Sequence, residues 1–457
     1  MRKVTRTSCT FAVVLAALLI LVGNASPAAE PLDAKCSARS VDVSGDGKYA
    51  AVGWGMNVSV FRTSERQPLW TYATGGFVDS VVLSDDGQKL AVAYNDPPYP
   101  YGLSSRGHVA FFNISNPAPA WTYATDYAIS GMGRRALDMT RDGSMIVAGT
   151  HVWPPISNVG TLYVFDTAHP IPPITYSYPN LILNVRISGN GQWFAAGTYW
   201  GDMRVYNVAS GLQCTLGLGD PFYGVALDYD GTYVAAGHGW AQQVGLYRIA
   251  DCSVVWTAFT NSTNSSLAMD DAGNYFVVSQ YESTYGSANG VLLFHTSSNE
   301  PVWSHASGNE LQWTVDMARN SEPITCGGSL GDVGVFGLND SAPLFTQKIG
   351  DSVTEIATSA DGSRTAGVSR DGFLYLLSTS GSETSVEWVW KTPCPTTLCH
   401  VPPENPVKAR TIVVDGDAAA AHLMKHPDDY SGPCGESRER QVLEMETDAA
   451  QTSFNEF

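Results

Sequence analysis

The sequence predicts an all-β fold: a β-propeller, most simply of eight four-stranded blades, followed by a small disulfide-held C-terminal module. Three observations predict it. A unit of four short strands recurs eight times, each unit turns on Asp-Gly or a variant of it between its first two strands, and most units carry an aromatic in the fourth strand. Composition agrees, because 44 glycines, 11% aromatics and only 15% charged residues suit half-buried strands joined by tight turns better than helices.

The chain begins with Met1, Arg2, Lys3 and Arg6, then an apolar run from Phe11 to Val22, then small residues through Ala25-Ser26-Pro27-Ala28-Ala29. A charged start, a short apolar stretch and a small-residue cleavage zone are the order of a secretory signal peptide, assigned to residues 1–29. The run falls short of the ~20 residues a membrane span needs, so no span is expected. The protein is expected to be secreted, extracellular or periplasmic, with association at a cell surface left open. Cys9 leaves with the signal, so seven of the eight cysteines reach a compartment where disulfides persist. An odd number leaves at least one unpaired or paired between chains. A net charge of −18 argues against nucleic acid as a partner, since phosphate binding depends on Lys and Arg.

The first unit runs Ser40-Val41-Asp42-Val43-Ser44, Gly45-Asp46-Gly47, Tyr49-Ala50-Ala51-Val52-Gly53, Val58-Ser59-Val60-Phe61 and Pro68-Leu69-Trp70-Thr71-Tyr72. Later turns fall at Asp86-Gly87, Asp142-Gly143, Asn190-Gly191, Asp230-Gly231, Ala272-Gly273, a degenerate Asn320-Ser321 and Asp361-Gly362. If the degenerate unit folded otherwise, seven blades would close instead of eight. Asp-Gly and Asn-Gly between apolar runs signal hairpins because glycine tolerates the positive φ those turns need. The Asp of each turn is explained by turn geometry without a calcium ion. Glycine in the second strands, as at Gly149 and Gly237, predicts crowded positions with no room for a side chain. Four-stranded units of this length repeated this often close into a propeller spanning 36–394.

These repeats resemble the WD40-like and quinoprotein-like (PQQ-type) propeller families over roughly residues 37 to 393, through the Ser-x-Asp-Gly turn and the fourth-strand Trp. The resemblance implies the fold. It does not extend to the activity, because no adjacent Cys-Cys pair accompanies it, and the Gly-His and Trp-Asp dipeptides of WD40 blades are not repeated.

Cys36 aligns just before the first strand of a blade and Cys394 just after the last, so the two meet at the junction where a closed ring joins and are expected to staple it. Each unit holds all four of its own strands, with no strand left over to complete another blade. Cys214 and Cys252 are placed on fourth strands of adjacent units and are candidates to pair at the rim. Cys326, in a second strand, is read as a small buried thiol.

After Trp390 comes Cys394-Pro395-Thr396-Thr397-Leu398-Cys399-His400-Val401-Pro402-Pro403-Glu404-Asn405-Pro406, then an extended Thr411 to Val414, then Ala418 to His426, Asp428 and Gly432-Pro433-Cys434. This segment, 395–435, resembles a short module at the ends of bacterial secreted and surface proteins. Glu404 and Pro427 stand where that module has glycines, and Arg410 where it often has His. A Cys399–Cys434 staple is the first reading, because a unit of about 40 residues lacks the core to be stable alone. A metal site of His400, His422, His426 and Asp428 is the second, with zinc as the ion, since His422 and His426 share a face if the stretch is helical. Haem on Cys394, Cys399 and His400 is disfavoured, as is a quinone, and a chain with no cofactor is the leading expectation. Surface attachment is a further reading. Residues 436–457 form an acidic tail expected to be disordered.

No Gly-x-Ser-x-Gly, Gly-x-x-x-x-Gly-Lys-Ser or His-Glu-x-x-His motif occurs. Insertions after the second strands of units two, three and six bring Tyr99, Tyr101, Trp153, Tyr281 and Tyr285 to one face of the disc. Aromatics gathered there suit a protein or carbohydrate partner. The function expected is therefore a binding scaffold. A quinoprotein-like or metal-dependent enzyme with its site in the central channel, or a structural cell-surface or assembly protein, are the alternatives.

Overall fold

The computed structural model describes residues 36–97, 105–129, 136–151, 159–169, 174–217, 219–281, 289–308, 310–402, 408–426, 429–431 and 434. The first blade shows how the sequence becomes structure. β1 (Ala38–Val43), β2 (Tyr49–Trp54), β3 (Asn57–Arg62) and β4 (Pro68–Ala73) pair in chain order as an antiparallel sheet. Its first turn places Gly47 at φ 69°, while the Asp46 carboxylate accepts from Ser44 Oγ at 2.7 Å and Lys48 N at 3.1 Å. Asp86, Asp142 and Asp361 accept the equivalent bonds from Ser84, Thr140 and Ser359, so the turn aspartates are engaged in the turn itself.

Seven further four-stranded blades follow over 77–124, 137–178, 182–217, 222–259, 263–308, 312–348 and 353–391, which makes eight, and a two-residue strand, Ala128–Ile129, adds to the second strand of the third. The degenerate turn forms too. Ser321 takes φ 80° where the others have glycine, a region costly to a residue with a side chain, and its Oγ donates to Asp270 of the preceding blade at 2.6 Å. First strands contact the first strands of neighbouring blades and so form the inner ring. Second strands carry glycines for the reason expected: a Cβ on Gly53 would meet Val78 at 2.4 Å, and one on Gly149 would meet Ile182 at the same distance.

Inner strands are laced by their own polar side chains. Asp42 accepts from Leu83 N at 2.7 Å, Asp138 from Ile187 N at 2.8 Å and Asp316 from Thr358 N at 2.8 Å, each on the next blade. At the rim the fourth-strand Trp donates its indole N–H to the backbone after the next blade's third strand. Trp70 reaches Ile114 O, Trp121 reaches Thr167 O, Trp256 reaches Thr296 O, Trp303 reaches Leu338 O and Trp388 reaches Thr63 O, all within 2.7–3.0 Å.

Cys214 holds the register position of those tryptophans, opposite Val205 as Trp70 is opposite Val60. It is bonded to Cys252 across the same kind of junction, with Cα atoms 5.7 Å apart. Cys252 is not on a fourth strand. It lies in the turn before Ser253–Phe259, at φ 60°, because the chain must still reverse there before the outer strand starts. A covalent bond thus stands where five other junctions use an indole hydrogen bond.

The ring closes without a shared strand. Val41 N donates to Glu355 at 3.0 Å, Thr354 Oγ1 to Ala38 O at 2.8 Å and Thr392 Oγ1 to Cys36 O at 3.1 Å, joining the last blade to the first. Cys36 and Cys394 are disulfide-bonded across this seam, with Cα atoms 6.0 Å apart. Cys326 is a buried free thiol, and burial pushes it up to about 12, which keeps it protonated and unreactive.

After the last blade, strands Thr396–His400, Arg410–Val414 and Tyr430–Ser431 form a three-stranded sheet beside helix α1 (Gly416–Lys425). Asp415 caps the helix, accepting from Ala418 N at 2.8 Å. Leu398, Ala419 and Ala420 are buried together with Val353, Phe373, Tyr375 and Val389, so the module shares its core with the final blade. Cys399 and Cys434 are bonded with Cα atoms 4.7 Å apart. No helix among the described residues is long and apolar enough to cross a membrane.

Candidate functional site

The inner strands line a cavity of about 150 Å³, with Asn184, Arg186, Tyr223, Ser265, Thr314 and Asp316 among its walls. The turns after the inner strands carry two ion pairs that cross it. Arg319 of the seventh blade pairs with Asp85 of the second, and Arg141 of the third with Asp271 of the sixth. Arg141 also lies over the Tyr229 ring at 4.6 Å. Partners three blades apart meet only across the axis, so these side chains bridge the channel at that end. Convergent channel carboxylates would have favoured catalysis, but Asp316 and Glu355 already accept backbone N–H groups of the next blade.

At the other end of the inner strands a single device repeats. The connector residue before an inner strand accepts backbone N–H groups from the turn between that blade's second and third strands. Asn180 accepts from Trp200 N at 3.1 Å, and Asp220 from Trp240 N at 3.0 Å and Ala241 N at 3.1 Å. Glu310 holds Leu330 N and Asp332 N, and Asp351 holds Asp371 N at 3.1 Å. Burial is the main reason that Glu310 is raised to about 7, with the nearby Asp332 charge adding to it. Burial and the adjacent Asp371 carboxylate raise Asp351 as well, and burial lowers Lys391.

In the fourth and fifth blades this device fixes turns that hold large aromatics in solvent. Trp200 is 49% exposed and Trp240 54%, which is unusual for the largest side chain. Tyr199 sits between them, its ring centroid 5.2 Å from Trp200 and 5.7 Å from Trp240, edge-on to both. Sequence reasoning missed this pair because it sought long insertions, and these turns are short. The available signal was Tyr199-Trp200-Gly201 and Gly239-Trp240 directly after second strands. Of the residues expected on this face, Tyr281 packs against Trp313 with centroids 5.1 Å apart. Tyr99, Tyr101, Trp153 and Tyr285 lie outside the described residues.

A second cluster lies in the C-terminal module. His400 ends the first module strand, His422 is in α1 and His426 caps it. One ring nitrogen from each lies within 4.8 Å of the other two. Asp429, its side chain wholly buried, accepts from His400 Nδ1 at 2.9 Å, His422 Nδ1 at 3.2 Å and Val401 N at 2.8 Å. The Nδ1 of His426 is buried without a hydrogen-bond partner among the described residues. The carboxylate that meets the histidines is therefore Asp429, whereas the expected Asp428 lies outside the described residues.

No family model matches the chain, and no curated protein matches it. Solved structures match in fold. The crystal structure of the computationally designed Ika8 protein superposes with a TM-score of 0.61 at 14% identity, covering 76% of this chain and 97% of that one. Identity that low concerns architecture alone.

Proposed function

We propose that this chain is an exported β-propeller scaffold that binds a protein partner through the face carrying the turns between second and third strands. The observation that carries the reading is the solvent-exposed pair Trp200 and Trp240 on turns locked from below by Asn180 and Asp220. Rigid, exposed Trp and Tyr are the side chains that dominate protein interfaces, because they bring large area at small entropic cost. The signal-like N-terminus and three disulfides support export. Commitment of the channel carboxylates to inter-blade bonds supports binding over catalysis.

The test compares the wild-type protein with the Trp200→Ala/Trp240→Ala double variant as baits against the exported proteins of the producing cell, alongside a glycan array. A protein retained by the wild type at a Kd at least tenfold tighter than by the variant supports the reading. Equal retention by both baits, or glycan binding lost in the variant with no protein affected, overturns it.

A further inference from the structure

We propose that His400, His422 and His426 bind one zinc ion, with Asp429 as the carboxylate that orients two of them. The argument begins with proton positions. An ionised carboxylate only accepts, so the Asp429 contacts place the N–H of both His400 and His422 on Nδ1. Their lone pairs are then on Nε2. A buried carboxylate fixing the far nitrogen of an imidazole is the usual support of a metal-ligating histidine.

His426 adds an independent observation. Its Nδ1 is buried and unpartnered among the described residues, a costly state for a polar atom in the absence of a ligand. His422 and His426 are one helical turn apart and so share a face. The Cys399–Cys434 bond fixes the residue preceding His400. Three imidazoles from a strand and a helix end are thus brought together by separate elements, and a dication would join them. Three nitrogen donors without thiolate suit zinc and leave a fourth position for water or a partner's side chain. The ion would clamp α1 to the first module strand, stabilising the folded module by mass action. This inference does not rest on the partner-binding reading.

The experiment uses the full mature chain, stripped with a chelator and dialysed. Zinc is titrated by calorimetry, bound metal is measured by elemental analysis, and cobalt is added separately for its visible spectrum. The expected result is one zinc per chain and the intense visible bands of four-coordinate cobalt. His426→Ala should weaken zinc binding at least 100-fold and abolish the bands, Asp429→Asn should weaken it about 10- to 100-fold, and His169→Ala, on the exposed propeller surface, should change neither. Disulfide mapping of Cys399–Cys434 checks that each variant folds. Should a variant misfold, the wild-type cobalt spectrum decides. Six-coordinate cobalt, less than half an equivalent of zinc on the wild type, or unchanged affinity in a folded His426→Ala protein overturns the proposal.

Discussion

The propeller and the C-terminal module are held in opposite ways. Propeller junctions are secured by inner-strand side chains and by apolar clusters between blades, and six of the eight also by an indole hydrogen bond or a disulfide at the rim. The module has a helix of ten residues, three short strands and a small share of the last blade's core. What remains to hold it is one disulfide and the hydrogen bonds around one carboxylate. Redundancy makes the propeller a rigid support for its loops, whereas the module depends on individual groups.

Breaking the ring bond gives the largest expected effect. The Cys36→Ser/Cys394→Ser variant should lose about 6 kcal/mol of unfolding free energy on the chain-entropy view, since the bond spans 358 residues. It should nevertheless keep its blades, as far-ultraviolet circular dichroism and a denaturant titration together would show. The Cys399→Ser/Cys434→Ser variant should lose about 3–4 kcal/mol, but locally. Limited proteolysis should then cut within 396–434 while leaving the propeller intact. A variant that is cut first between blades would contradict the contrast.

Buried acids sharpen it through pH. Glu310 is raised from 4.5 to about 7, so the fold favours its neutral form. Its contribution is present in full below pH 4.5 and is lost as pH rises from there to about 7, costing about 3 kcal/mol across that window. Chemical denaturation at pH 5 and pH 8 should show this loss, and Glu310→Gln should remove most of it. The smallest effect belongs to one rim contact. Trp256→Phe keeps the stacking but leaves Thr296 O without its donor, and should cost about 1 kcal/mol in the same titration. Cys214→Ser/Cys252→Ser, at the equivalent junction, should cost more than Trp256→Phe, because it removes a covalent link.

The legible parts of this chain were local. Asp46-Gly47 and its counterparts announce hairpins through the φ they demand, and Trp70, Trp121 and Trp256 mark the outer strands that follow them. The ring seam followed because alignment of units placed Cys36 and Cys394 at one junction. Interactions across the closed ring were not legible. Arg141 and Asp271 are 130 residues apart, and nothing in either turn announces a partner on a blade three positions away. Trp200 and Trp240 were passed over since their turns carry no long insertion, and only the connector bonds from Asn180 and Asp220 show how these turns are held. The module was legible as a set of histidines and cysteines, but Asp429, the carboxylate that meets the histidines among the described residues, was not singled out.

Hydrogen exchange read by mass spectrometry, on the native protein and after mild reduction with chelation, tests the contrast between the two regions most directly. The account predicts that amides across 396–426 lose protection on treatment, while those of the inner strands around Val41, Val81 and Val225 exchange as slowly as before. Unchanged protection in the module, or inner strands that open before it, would contradict the account.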